Sequence, residues 1–295
     1  GPISARKILK KHWIIIPSGS EDMERVNLFQ RELIVRSASG LALGLAILGG
    51  IYLGNPYWFA LCLLICMASL GEYYRMISQK GHVSRVVGFG AGISSLFAAV
   101  YSEDPAVLLP LLAAAPMLVL FVELARKHIL GESHGITSSG GTAAGILYIV
   151  LPWSFMVVLR DHMWGTYLLV TLFACTWSCD VFSYLVGSRW GETPLCPTVS
   201  PKKTVEGFLG GLTGSLLCGG CLAYYWGMAP FSIILIALFC GTFGQVGDLA
   251  ESLLKREAGI KDTGDLIPGH GGMLDRFDSI LVNSVLVFFV FGVLW

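Results

Sequence analysis

Acidic and basic residues crowd between Gly247 and Asp278, in a chain that is otherwise strongly apolar. Asp248, Glu251 and Ser252 stand at i, i+3 and i+4, a spacing that places them on one helix face. Lys255 continues that face, with Arg256 beside it. Asp275 and Asp278 stand at i and i+3 at the start of the next apolar run. Two neighbouring helix ends would therefore aim three or four carboxylates at one point. Clustered carboxylates repel unless a cation holds them. Oxygen ligands beside phosphate suit a hard divalent ion, Mg²⁺ above all. Between the two helices lie Lys261, Asp262, Gly264, Pro268, Gly269, His270, Gly271 and Gly272. Glycines let backbone N–H groups approach an anion closely. Lys255, Arg256, Lys261, His270 and Arg276 add positive charge. A metal, a backbone cradle and cationic clamps are the parts of a phosphoryl or nucleotidyl transfer site. No Walker sequence occurs, and no Ser-His-Asp or Cys-His pattern stands out. His270 is a candidate base, although a nucleophile that is already an ionised phosphate needs none.

The elements that must hold these residues are membrane helices. Charged residues make up only 14% of the chain, and the mean hydropathy is +0.69. A soluble protein carries about 25% charged residues. The formal net charge is zero, which leaves no nucleic-acid footprint. The apolar runs are continuous rather than alternating, so an all-α polytopic membrane protein is expected, not a β-barrel. About nine transmembrane helices fit, at roughly 36–54, 56–77, 84–101, 105–126, 139–160, 164–187, 205–227, 229–253 and 275–295. Every Lys and Arg except Arg160 falls in one alternate set of connections. The positive-inside rule then makes the N-terminus and all long loops cytoplasmic, with Trp295 on the far side.

Three regions follow. Residues 1–35 form a basic juxtamembrane segment with Arg6, Lys7, Lys10, Lys11 and His12, suited to anionic lipid. Gly-Pro at the start suggests that part of it is a leader, with Met23 a candidate natural start, and no cleavable signal peptide is expected. Residues 36–160 hold helices one to five with few intramembrane charges. Glu72 and Glu123 are exceptions, each expected to pair locally with a base at i+3, Arg75 and Arg126. Residues 161–295 hold helices six to nine, with cytoplasmic loops at 188–204 and 255–274. Asp180 lies deep in the sixth span among Ser178, Ser183 and Tyr184, either as a structural hydrogen-bonding residue or as a functional one.

Ser200-Pro201-Lys202 reads as a helix start, with Ser200 as N-cap and Pro201 at the first position. Lys202, Lys203 and Thr204 would then meet free backbone N–H groups, a setting for phosphate. The same lysines read equally as a topology signal. Cys218 and Cys221 have CxxC spacing, but no nearby His supports a metal; seven of the eight cysteines lie in apolar spans, and this pair, like Cys175 and Cys179, reads as small apolar residues. GGLTG at 210–214 permits close helix packing.

An ion pathway through a transporter would spread its acids through the membrane depth. Here they gather at one face with bases and a Gly-rich loop, which favours catalysis. The pattern Ser252-x-x-Lys255-Arg256, Lys261-Asp262, Pro268-Gly269-His270-Gly271-Gly272 and Asp275-Arg276-x-Asp278 resembles the C-terminal signature of phosphatidate cytidylyltransferases. The stretches from Asp180 to Tyr184 and from Ser200 to Gly207 resemble the same family. The resemblance implies a reaction of CTP with phosphatidic acid giving CDP-diacylglycerol and pyrophosphate. It implies Asp248, Asp275 and Asp278 as metal ligands, with a second, monovalent cation such as K⁺ sharing the site. It implies Lys255, Arg256, Lys261, His270 and Arg276 on triphosphate or lipid phosphate. Ser200, Lys202, Lys203 and Thr204, with Ser252, Asp262, Gly271 and Gly272, would complete the nucleotide site. It further implies a homodimer. The expected location is a bacterial inner membrane, with the site on the cytoplasmic face that the basic loops indicate. The alternative enzyme is a CTP-dependent polyprenol or phytol kinase; the alternative of another class is an ion-coupled transporter.

Overall fold

The structure, a computed structural model, describes residues 20–102, 104–227, 230–267 and 271–293, the side chains of 20–33 and 292–293 excepted. Arg6 to His12, Pro268, Gly269, His270 and Trp295 lie outside the described residues.

The described chain is helical apart from one small hairpin. In order it runs α1 (Ser20–Leu53), α2 (Tyr57–Ile77), α3 (Arg85–Tyr101), α4 (Leu108–Leu130), α5 (Gly135–Gly145) and α6 (Leu151–Asp161). Then come α7 (Gly165–Trp190), β1 (Pro194–Cys196), β2 (Ser200–Thr204), α8 (Val205–Trp226), α9 (Pro230–Ala258) and α10 (Leu274–Phe288). Among the described residues, seven helical stretches are long and apolar enough to cross a membrane, which bears out the all-α membrane class. The other two expected spans fall on α3, an apolar helix of 17 residues, and on α10. α5 and α6 form one rod joined by a π-helical turn at Ile146–Val150. Pro152 follows directly; its ring and missing N–H cannot continue regular helical bonding, and the wider turn absorbs the mismatch. Arg160, the one base assigned to the far side, donates from Nε to the Ile51 carbonyl at 2.6 Å and so satisfies the end of α1.

The expected helix start at Ser200 is corrected. Ser200–Thr204 is a strand paired antiparallel with Pro194–Cys196, and the helix begins at Val205. Thr204 is the true N-cap: its Oγ1 accepts from Gly207 N at 3.1 Å. Glu206 in the first turn accepts from the backbone N–H groups of Glu192 and Thr193 at 3.1 and 3.2 Å, tying β1 to α8. Pro201 lacks a donor for the ladder but is tolerated in a two-stranded ribbon, where every strand is an edge.

The small residues at 210–214 are spent inside this chain. Gly210, Gly211 and Gly214 are buried between α8 and its neighbours. A Cβ on Gly210 would stand 2.5 Å from Val186 Cβ, one on Gly211 2.9 Å from Cys179 Sγ, and one on Gly214 would overlap the Phe182 ring. The glycines thus set how closely α7 and α8 approach. A Gly214→Val variant is expected to cost about 1–3 kcal/mol through this overlap. An unfolding midpoint in detergent equal to that of the parent chain would refute it.

The core lies among α2, α6, α7 and α10. Trp58, Tyr74, Trp153, Phe173 and Phe277 are fully buried there. Trp58 Nε1 donates to the Met156 carbonyl at 3.1 Å, and Trp153 meets Phe277 edge-on at 5.1 Å. Asn283 of α10 donates to Thr176 of α7 at 3.0 Å. These contacts tie α2, α6, α7 and α10 together, and one end of the bundle carries the C-terminal parts of α7 and α9 and the N-termini of α8 and α10.

Candidate active site

That end encloses a cavity of about 650 Å³. α7 supplies Asp180, Ser183 and Tyr184; β2 and the start of α8 supply Lys202, Lys203 and Thr204. α9 contributes Gln245, Asp248 and Lys255, and the segment from Asp262 into α10 adds Asp275, Arg276, Asp278 and Ser279. Of the residues expected to share a site, Lys202, Lys203, Thr204, Asp248, Lys255, Asp262, Asp275, Arg276 and Asp278 line this one cavity, and Asp180 opens onto it. α7, α8 and α9, three of the helices with the composition of membrane spans, and the start of α10 line a cavity whose bases and carboxylates suit phosphate chemistry.

The charges are arranged in two cross-element pairs. Lys203 Nζ stands 2.7 Å from Asp248 Oδ2, linking the hairpin to α9. Lys255 Nζ stands 2.7 Å from Asp275 Oδ1 and 3.4 Å from Glu251 Oε1, linking α9 to α10. Glu251 is wholly buried, and Lys255 is only 8% exposed. Ser252 donates to Asp248 at 3.4 Å. Asp278 accepts from its neighbour Ser279 N at 2.6 Å.

Asp275 is the most heavily bonded of these groups. Its Oδ2 accepts from Thr263 N at 2.9 Å, Thr263 Oγ1 at 2.9 Å and Gly272 N at 3.0 Å, while Oδ1 takes Lys255. A carboxylate at the first turn of a helix suits both the free N–H groups and the helix dipole.

Glu72 of α2 completes the arrangement, and its expected pairing with Arg75 is corrected. Its Oε1 accepts from Met273 N at 2.9 Å, and its Oε2 accepts from Leu274 N at 2.8 Å and stands 3.1 Å from Thr263 Oγ1. Backbone donors at a helix start hold a carboxylate more firmly than a solvated base one turn away. Glu123, by contrast, does meet Arg126, at 3.7 Å, and also accepts from His134 N at 2.8 Å.

Several expected site residues stand outside the cavity lining. Arg256 donates from Nε to the Val199 carbonyl at 3.2 Å and so fastens the hairpin turn to α9. Lys261 is exposed, and Ser200 and Ser252 stand behind the wall. Gly271 and Gly272 act through the backbone: Gly271 has φ +83°, and Gly272 N serves Asp275. A Cβ on Gly272 would collide with Thr263 Oγ1 and lie 2.6 Å from Glu72 Oε2. Gly264, Gly271 and Gly272 thus lie against two carboxylates of the protein itself. Gln245 was not singled out from sequence; it donates to the Phe208 and Gly241 carbonyls at 3.0 and 2.7 Å, bracing α9 against α8. Its position on the face of Asp248, three residues on, is the signal that would have found it.

Among the described residues, no three His, Cys, Asp or Glu side chains converge as a self-sufficient metal site. The donors on the cavity wall are all oxygen, with Asp180, Asp248 and Asp278 facing one space. That fits a hard cation that takes one or two carboxylates and completes its shell with phosphate oxygens and water.

The fold and the cavity define a polytopic helical protein with a charged site suited to phosphate ligands. Residues 34–294 match the cytidylyltransferase family, and the chain belongs to it. It is 33% identical over 282 residues to a phosphatidate cytidylyltransferase of Synechocystis sp., covering 87% of this chain and 94% of that one. Similarity to the phosphatidate cytidylyltransferase of Aquifex aeolicus is 32% over 259 residues, covering 88% and 90% of the two chains. With that of Bacillus subtilis, 40% identity extends over 150 residues, or 49% of this chain and 55% of the relative.

Proposed function

We propose that the protein joins CTP and phosphatidic acid to give CDP-diacylglycerol and pyrophosphate. The observation that carries this reading is the cavity at the bundle end, where Lys202, Lys203, Lys255 and Arg276 face Asp180, Asp248, Asp275 and Asp278 in a chain of the cytidylyltransferase family. A phosphate oxygen of the lipid forms the new bond to the α-phosphorus of CTP. The bond from that phosphorus to the oxygen leading to the β-phosphate breaks, and pyrophosphate leaves with its electron pair. The nucleophile is already an anion, so no general base is required.

The residues of the chain bind, orient and balance charge. Lys202 and Lys203 lie on the strand wall and take the triphosphate as it enters; Lys203 exchanges Asp248 for a phosphate oxygen. Arg276, at the start of α10, offers a bidentate fork to a phosphate. Lys255 is held by Asp275 and Glu251 and supplies a fixed cation at the back of the cavity. Asp248 and Asp278, which open onto the cavity, would hold Mg²⁺, while Asp275, engaged by Lys255, Thr263 and Gly272, holds the turn that carries Asp278; a monovalent ion such as K⁺ would share the site. Such a cation, when bound, neutralises charge on the reacting and departing phosphates. Lipid tails reach the cavity between helices from the bilayer.

The finer topology belongs to the same reading. α3 and α10 join the seven apolar stretches to give nine spans, with the N-terminus and the cavity cytoplasmic, as the distribution of Lys and Arg requires. The protein works as a homodimer.

The test follows the label. With CTP labelled at the α-phosphate, membranes containing the protein and Mg²⁺ are expected to move label into lipid; label at the γ-phosphate is expected to leave as pyrophosphate. Transfer of the γ label into lipid would instead establish a kinase. Solute flux without CTP consumption would establish a transporter.

A further inference from the structure

The sequence offers Glu72 only a local partner, Arg75, yet Glu72 reaches the start of α10. It is 4% exposed and sits on α2, 201 positions before Met273 and 202 before Leu274, whose N–H groups it accepts. Thr263 Oγ1 lies between two carboxylates, 3.1 Å from Glu72 Oε2 and 2.9 Å from Asp275 Oδ2. A hydroxyl has one proton to donate, so Thr263 serves one of these carboxylates at a time and couples them. Gly264 and Gly272 lie so close to Glu72 that a Cβ on either would stand 2.5 or 2.6 Å from its carboxylate oxygens. The backbone at Gly264 and Gly272 therefore fits closely around this side chain.

We infer that Glu72 is a positioning residue for the transfer reaction: by capping α10 and holding Thr263, it fixes the carboxylates of Asp275 and Asp278 in the cavity. The inference rests on the proposed cytidylyltransferase activity only for its kinetic readout. Geometry gives it leverage. Asp275 and Asp278 begin one and four residues after Leu274, so a shift of the capped turn moves both. Misplacement of a reacting group by about 1 Å can cost 10²-fold in rate. Glu72 touches no cavity space itself, and its effect passes through α10.

Two variants separate positioning from general stability. Glu72→Gln keeps the shape but offers one acceptor oxygen instead of two; Thr263→Val removes only the hydroxyl. In full-length protein purified in detergent, Glu72→Gln is expected to lower kcat by roughly 10–100-fold while KM for CTP changes by less than about threefold. The two substitutions together are expected to lose little more than the worse one alone, because they cut one chain of contacts. Hydrogen exchange supplies a readout independent of activity: the Met273 and Leu274 amides are expected to lose protection in Glu72→Gln, while the rest of α2 keeps its own. Unchanged protection at those amides overturns the inference whether or not the wild type forms CDP-lipid. Kinetic losses that simply add, or a kcat within about threefold of wild type, also overturn it. Wild-type protein inactive with CTP and phosphatidic acid would sink the activity while leaving the exchange result to judge Glu72.

Discussion

An Asp275→Asn variant is expected to lose CDP-lipid formation by on the order of 10³-fold or more, while still inserting into the membrane and folding. Asp275 accepts from Thr263 N, Thr263 Oγ1 and Gly272 N on one oxygen and pairs with Lys255 on the other. An amide replaces one of those oxygens with a donor. Turned one way, its NH₂ opposes Lys255; turned the other, it opposes three donors. Either orientation disturbs the segment from Thr263 to Asp278 and removes a negative charge from the reacting end. The check is CTP-dependent CDP-lipid formation with Mg²⁺, alongside gel-filtration behaviour matching wild type. Near-normal turnover would sink the assignment of Asp275 to the site.

A Lys255→Met variant is expected to be the most destabilising single change at the site, by about 3–5 kcal/mol. Removing the ammonium strands Glu251, which is fully buried and whose one ion-pair partner among the described residues is Lys255 at 3.4 Å. Asp275 suffers less, because three other donors remain. Adding Glu251→Gln to Lys255→Met is therefore expected to restore roughly 1 kcal/mol or more by removing the stranded charge. Equilibrium unfolding in mixed micelles measures this. A double variant as unstable as the sum of its parts would show that Lys255 does not serve Glu251. Activity is expected to stay low in both, since the fixed cation is gone.

Much of this site could be read from residue spacing. Asp248, Lys255, Asp275 and Asp278 follow helix periodicity beside apolar runs, and the structure places all four on one cavity with Lys202, Lys203 and Thr204. Spacing works there because each group sits near the end of a helix whose path is dictated by hydropathy. The role of Glu72 could not be read this way. Its partners lie 191 to 202 positions away, two of them are backbone N–H groups, and a base at i+3 offered a plausible local substitute. Ser200-Pro201 misled for a different reason. The same residues suit an N-cap or an edge strand, and the choice fell to Thr204, which caps α8, and to Glu206, which holds the backbone at Glu192 and Thr193 just ahead of β1. Arg256 shows the limit of counting charges. Its guanidinium is used on a carbonyl of the hairpin turn, a partner that carries no side-chain signal.

The bond between α2 and the start of α10 also sets an order of events during biosynthesis. Some 200 residues separate Glu72 from the amides it caps. At about 5–20 residues per second, roughly 10–40 s pass between the emergence of the two. Throughout that interval the carboxylate has no backbone amide of α10 to receive and must stay hydrated or protonated at the bilayer surface. The reacting end can assemble only when α10 arrives and docks onto a helix made near the beginning. A chain ending before α10 would carry Lys202, Lys203 and Lys255 but lack Asp275, Arg276 and Asp278.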